Sequence, residues 1–74
     1  IELTKNDFKT MQILMEYAPN VVPREEIMKR LWESDEFIDD NTLTVNITRL
    51  RKKLEENEID DFIRTRKGIG YYIP

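Results

Sequence analysis

The segment from Asn41 to Leu54 limits what this chain can fold into more than any other. At about 100° per residue, Leu43, Ile47, Leu50 and Leu54 fall in one narrow stripe, the spacing of a core-facing helix. The helix is expected over residues 41–57. Asn41, Val45, Thr48, Arg49 and Lys52 lie on the other side of the same wheel. That side has no acid, and Val45 stands where a solvated helix would place Glu or Lys. Arg, Asn, Thr and small apolar groups are the side chains that read base edges in the DNA major groove. The plainer reading is a solvated basic face.

With 74 residues, neither cysteine nor histidine and a single serine, Ser34, the chain makes one small domain without disulfides or a Cys/His zinc site. The nucleophiles and bases of ordinary enzymes are missing, and no cofactor is expected. Asp39-Asp40 could be imagined as metal ligands, but adjacent acids ahead of a helix more often cap it. No run is apolar enough to span a membrane, and the lack of cysteine suits a reducing cytoplasm. A first residue of Ile rather than Met reads as a fragment of a longer protein, residues 1–74 forming one domain of it.

A net charge of −3 taken alone argues against nucleic acid, but the charges are segregated. Residues 41–54 carry Arg49, Arg51, Lys52 and Lys53 and no acid, and residues 62–74 carry Arg64, Arg66 and Lys67 and no acid. The acids gather in 33–40 and 55–61. Such a chain presents one positive face and an acidic remainder.

Along the chain, Ile1-Glu2-Leu3 alternates like the end of a strand. Thr4 and Asp7 form a capping box for a first helix, with Phe8, Met11, Leu14, Met15 and Ala18 as its buried stripe and Pro19-Asn20 as its stop. Val21-Val22 suits a bridging strand. Pro23 opens a second helix, with Ile27, Met28, Leu31 and Trp32 facing inward. Within the acidic loop 33–40, Phe37 and Ile38 either plug the core or face a partner. Asp40 or Asn41 caps the long helix. Two β-prone runs, Ile63–Thr65 and Tyr71–Ile73, flank a basic tip whose Gly68 and Gly70 permit positive φ. The fold class is α+β, a winged helix-turn-helix: three helices, a C-terminal β-hairpin wing over 64–72 and the remnant of an N-terminal antiparallel sheet.

The sequence resembles the C-terminal effector domain of OmpR/PhoB-type response regulators. The matching residues include Val21-Val22-Pro23-Arg24-Glu25-Glu26-Ile27, Leu31-Trp32, Arg49-Leu50-Arg51-Lys52-Lys53-Leu54 and the run from Ile63 to Tyr71 with its Gly68-Ile69-Gly70. The resemblance implies sequence-specific binding of double-stranded DNA in the control of transcription. It implies base reading by Thr44, Val45, Thr48 and Arg49, and phosphate contact by Trp32, Asn41, Thr42, Asn46, Arg51, Thr65 and Tyr71. Arg66 and Lys67 fall at the wing, with Lys67 matching the residue that enters the minor groove. It further implies direct-repeat half-sites bound by a homodimer, a monomeric isolated domain, and a sensor histidine kinase acting through a receiver domain absent here. Loop 33–40 corresponds to a segment that in some members contacts RNA polymerase. Pro23 stands in place of the usual capping Ser and Thr48 in place of a frequent Arg, so an operator preference does not transfer. The segment Asp35–Asn46 is most similar to regulators that answer bacitracin or lantibiotics. The competing class is a winged helix used for protein–protein contact.

Overall fold

The computed structural model describes residues 1–74, in the order α1 (Lys5–Tyr17), β1 (Val22–Pro23), α2 (Arg24–Glu33), α3 (Asp40–Glu56), β2 (Arg64–Arg66) and β3 (Gly70–Tyr72). Thr4 Oγ1 accepts from the Asp7 N–H at 3.0 Å, and Asp7 Oδ2 accepts from the Thr4 N–H at 3.1 Å, which closes the expected capping box. Asp39, rather than Asp40 or Asn41, caps α3, its Oδ1 accepting from the Thr42 N–H at 2.7 Å. Hydrogen bonds from the Thr42 backbone and side chain hold the Asp39 carboxyl below its ordinary pKa. Three cap-competent residues stand in a row here, and pattern alone does not choose between them.

Both α2 and α3 end without glycine. Asp35 and Glu58 adopt left-handed φ of 61° and 63°. Beyond them the Glu36 and Ile59 N–H groups each reach back 2.8 Å to the carbonyls of Leu31 and Leu54. These bonds satisfy carbonyls that a helix end leaves without partners.

The strands pair antiparallel in the order β1-β3-β2, with Val22 opposite Tyr71 and Thr65 opposite Tyr71 on the other edge. Pro23 is the last residue of edge strand β1, one residue before the first turn of α2 where the pattern places it, and an edge tolerates its missing N–H. Ile1–Leu3, expected as the end of a strand, forms none. Leu3 instead packs half-buried on the core.

Leu43, Ile47, Leu50 and Leu54 are all buried, as their spacing predicts, and form one core with Ile13, Leu14, Ile27 and Leu31 from the other helices and Val22, Ile63, Tyr71 and Ile73 from the sheet side. Each buried Leu or Ile contributes about 1.5–3 kcal/mol. α1 departs from expectation. Its buried residues are Asp7, Thr10, Ile13 and Leu14, while Phe8 and Met15 are 63% and 59% exposed and Ala18 is exposed too. The helix is apolar on two sides, and it turns toward α2 and α3 the side that includes a carboxylate.

Asp7 tolerates that position because Lys53 Nζ of α3 donates to its Oδ2 at 2.5 Å. Burial pushes the Asp7 carboxyl up, but hydrogen bonds from Lys53 and Thr4, with the Lys53 charge, hold it below its ordinary value. A depressed folded pKa contributes stability that is complete above the unfolded value, about 3.9, and is lost as pH falls through the folded one. The melting temperature is therefore expected to drop below about pH 4, and Asp7→Asn should flatten that drop while lowering stability at neutral pH. Equal acid sensitivity in the two proteins would assign the effect to other carboxylates.

Candidate nucleic-acid interface

The outward face of α3 is set by its buried stripe. Opposite it, Asn41, Thr44, Val45, Thr48, Arg49 and Lys52 are all exposed, and Val45 is 45% exposed although β-branched and apolar. Thr48 Oγ1 donates to the Thr44 carbonyl one turn back at 3.0 Å, which occupies its proton and leaves its oxygen to accept. The arginines separate by what they already hold. Arg24, Arg30, Arg51 and Arg64 are committed to hydrogen bonds or ion pairs, and Arg66 lies 5.8 Å from the Tyr72 ring. Arg49 forms no side-chain hydrogen bond or salt bridge, so its planar fork of donors faces solvent unspent.

The wing is tied to α3 through Arg51. Its Nε donates to the Ile63 carbonyl at 3.0 Å and its Nη2 to the Thr65 hydroxyl. Both Arg51 and Arg24 place a guanidinium over the Tyr71 ring, at 5.5 and 5.6 Å. Tyr71 is 5% exposed and its hydroxyl accepts from Arg24 at 2.8 Å, with its own proton free for another partner. Tyr72, on the opposite face, is half-buried. At the tip, Arg66 and Lys67 are exposed, and Gly68 takes a φ of +78° that suits the turn. Gly70 has another role: a Cβ there would stand 1.9 Å from the Val22 carbonyl oxygen.

Several expected phosphate contacts also have intramolecular partners. Trp32, expected to face inward, is 54% exposed, and its indole N–H donates to the Ile38 carbonyl at 3.1 Å. The 34–39 loop folds back across the end of α2 and supplies that acceptor, with Phe37 72% exposed and its ring 6.4 Å from that of Trp32. Asn46 is half-buried and donates to Asn6 of α1 at 3.2 Å. Asn41 is exposed, Thr42 is half-buried with its N–H on the cap, and Thr65 is exposed with its hydroxyl on Arg51.

One central residue escapes sequence reasoning. Arg24 is 16 residues from Asp40, 20 from Thr44 and 47 from Tyr71, yet its side chain bonds all three. The Asp40 hydrogen bond drives its pKa further above the ordinary range, against the opposing effect of burial. A similar bond donated by Arg30 to Glu16 raises the pKa of Arg30.

A three-helix body, an exposed and acid-free face on α3 and a basic wing fastened beside it are joined by a family match. The family described as "Transcriptional regulatory protein, C terminal" covers residues 1–73. The chain belongs to the OmpR/PhoB-type DNA-binding domains. This DNA-binding domain is 46% identical over 71 residues to the sensory transduction protein BceR of Halalkalibacterium halodurans, an alignment covering 96% of this chain and 31% of that protein. It is 44% identical over 71 residues to the response regulator protein GraR of Staphylococcus aureus, covering 96% of this chain and 32% of GraR. Among solved structures it superposes on the C-terminal domain of the nisin resistance regulator NsrR with a TM-score of 0.88 and 43% identity, covering 99% of this chain and 74% of that one. The DNA-binding domain of the response regulator AdeR, solved in complex with an intercistronic region, gives a TM-score of 0.85 at 29% identity, covering 99% and 72%. The OmpR/PhoB-type domain thus spans about a third of the length of its curated relatives. No helix in it is long and apolar enough to cross a membrane.

Proposed function

We propose that this domain binds duplex DNA sequence-specifically as the effector part of a two-component response regulator that controls transcription. The observation that carries the reading is the free guanidinium of Arg49 on an exposed, acid-free face of α3 beside a tethered basic wing. Thr44, Val45, Thr48 and Arg49 read base edges in the major groove, where a bidentate Arg favours guanine and a small apolar group favours a thymine methyl. Lys67, with Arg66, enters the minor groove. Asn41, Thr42, Asn46, Arg51, Thr65, Tyr71 and Trp32 hold register on phosphates, Asn46 and Trp32 after giving up their present partners.

The parent regulator works in the bacterial cytoplasm, takes its signal from a sensor kinase through a receiver domain, and responds to cell-envelope peptide antibiotics. Support for that last point is the likeness to BceR, GraR and the lantibiotic regulator NsrR. Two copies occupy direct-repeat half-sites about one helical turn apart, while the isolated domain is a monomer. Loop 33–40, with exposed Phe37, contacts RNA polymerase.

The test is an anisotropy titration with a duplex that the domain itself selects from a randomised pool, against a scrambled duplex, at two salt concentrations. The selected duplex should bind more tightly, and both should weaken steeply with salt. Equal affinity for both duplexes, or binding indifferent to salt, would return the fold to the protein-contact class. Exposed Trp32 and Phe37 are the observation in favour of that class.

A further inference from the structure

Arg24 opens α2 directly after the β1 edge strand, and from there it reaches two other elements. Toward α3, its Nε donates to Asp40 Oδ1 at 2.8 Å, and its Nη2 donates to the Asp40 carbonyl and to Thr44 Oγ1, each at 2.7 Å. Toward the wing, its Nη1 donates to the Tyr71 hydroxyl at 2.8 Å and its backbone N–H to the Ile69 carbonyl at 3.2 Å. Four of the five guanidinium N–H donors are thus divided between the first turn of α3 and strand β3.

Two consequences follow for recognition. The orientation of the wing relative to α3 is fixed at this guanidinium as well as at Arg51. The second concerns Thr44, which is exposed on the base-reading face. Thr44 Oγ1 accepts from Arg24 at one of its two lone pairs, which directs the hydroxyl proton away from the guanidinium, and no group in the chain takes that proton. A hydroxyl held this way has its proton aimed outward, so it favours acceptors: a phosphate oxygen, N7 or O6 of guanine, N7 of adenine or O4 of thymine.

We infer that Arg24 is a positioning residue for DNA recognition, which locks the wing to the start of α3 and holds the Thr44 hydroxyl as a hydrogen-bond donor to the DNA. A lysine carries the same charge, but its single ammonium cannot reproduce a planar fork aimed at acceptors on two elements. The inference rests on the DNA-binding reading proposed above.

The experiment uses the chain itself, its Arg24→Lys and Thr44→Val variants and the double variant, titrated with the selected and scrambled duplexes across a salt series. Circular dichroism melts place every titration well below unfolding, so that a loss of affinity is not a loss of fold. Arg24→Lys should weaken the selected duplex about tenfold, as for losing a charge-assisted hydrogen bond, with an unchanged salt slope. Thr44→Val should cost less in the Arg24→Lys background than in the parent, because the hydroxyl is no longer oriented there. A salt slope shallower by about one unit would make Arg24 a direct phosphate contact and overturn the inference. So would parental affinity in Arg24→Lys, or full additivity of the two substitutions. Failure of the parent chain to prefer its selected duplex is a separate result, and it would remove the DNA-binding reading itself.

Discussion

Gly70→Ala is expected to destabilise the domain by at least about 3 kcal/mol, the upper end of the cost of overpacking a close-packed site. A β-carbon at residue 70 would sit 1.9 Å from the Val22 carbonyl oxygen and 2.8 Å from its carbon, both backbone atoms that no side-chain rotation can move aside. The remedy is separation of β1 from β3, which removes the pairing of Val22 with Tyr71 and of Pro23 with Gly70. A domain of this size has only about 4–11 kcal/mol in hand at typical stability per residue, so a large share of the fold is at stake. Gly68→Ala is the control. Its φ of +78° strains an L-residue, but nothing lies within 4 Å of the added carbon, and the cost should stay near the 1–2 kcal/mol of a left-handed conformation. Chemical denaturation of the two variants decides the matter. If Gly68→Ala proved the more damaging, the close approach of β1 to β3 would be yielding, and the wing would owe little to it.

That contrast shows where sequence stops being informative. Two glycines around a basic tip suggest a turn, and for Gly68 that is correct. What Gly70 requires is set by Val22, 48 residues earlier, and no local pattern contains it. The same division runs through the rest of the molecule. α3 is legible because its apolar residues lie on a single stripe and its other face is polar, so only one packing satisfies it. α1 offers two apolar sides. Choosing between them depends on Lys53, which makes the side containing Asp7 the one that can be buried. The outward face of α3 is legible for the same reason as the core, since fixing one side of a helix fixes the other. The Arg24 centre is not, because its partners come together only after three elements have packed. The intramolecular partners of Trp32 and Asn46 depend in the same way on where a loop and a neighbouring helix come to rest.

Arg49→Ala should separate binding from folding more cleanly than any other substitution. Arg49 is exposed and its guanidinium has no partner within the chain, so its removal leaves every core contact and every hydrogen bond in place. Thermal stability should stay within about 0.5 kcal/mol of the parent, the usual range for a surface change. Affinity for the selected duplex should fall by about 1–3 kcal/mol, the discrimination of one bidentate contact, or roughly five- to 150-fold. The loss should be confined to one base pair of the site, so that a duplex already altered at that pair binds the variant and the parent alike. Arg51 supplies the comparison, since its guanidinium is shared with Ile63, Thr65 and the Tyr71 ring. Arg51→Ala should lower stability as well as affinity, and lower affinity for selected and scrambled DNA together. If Arg49→Ala also weakened both duplexes equally, its guanidinium would be neutralising a phosphate. The face of α3 assigned to the bases would then be rotated toward the backbone, and Val45, Thr44 and Thr48 would lose their roles with it.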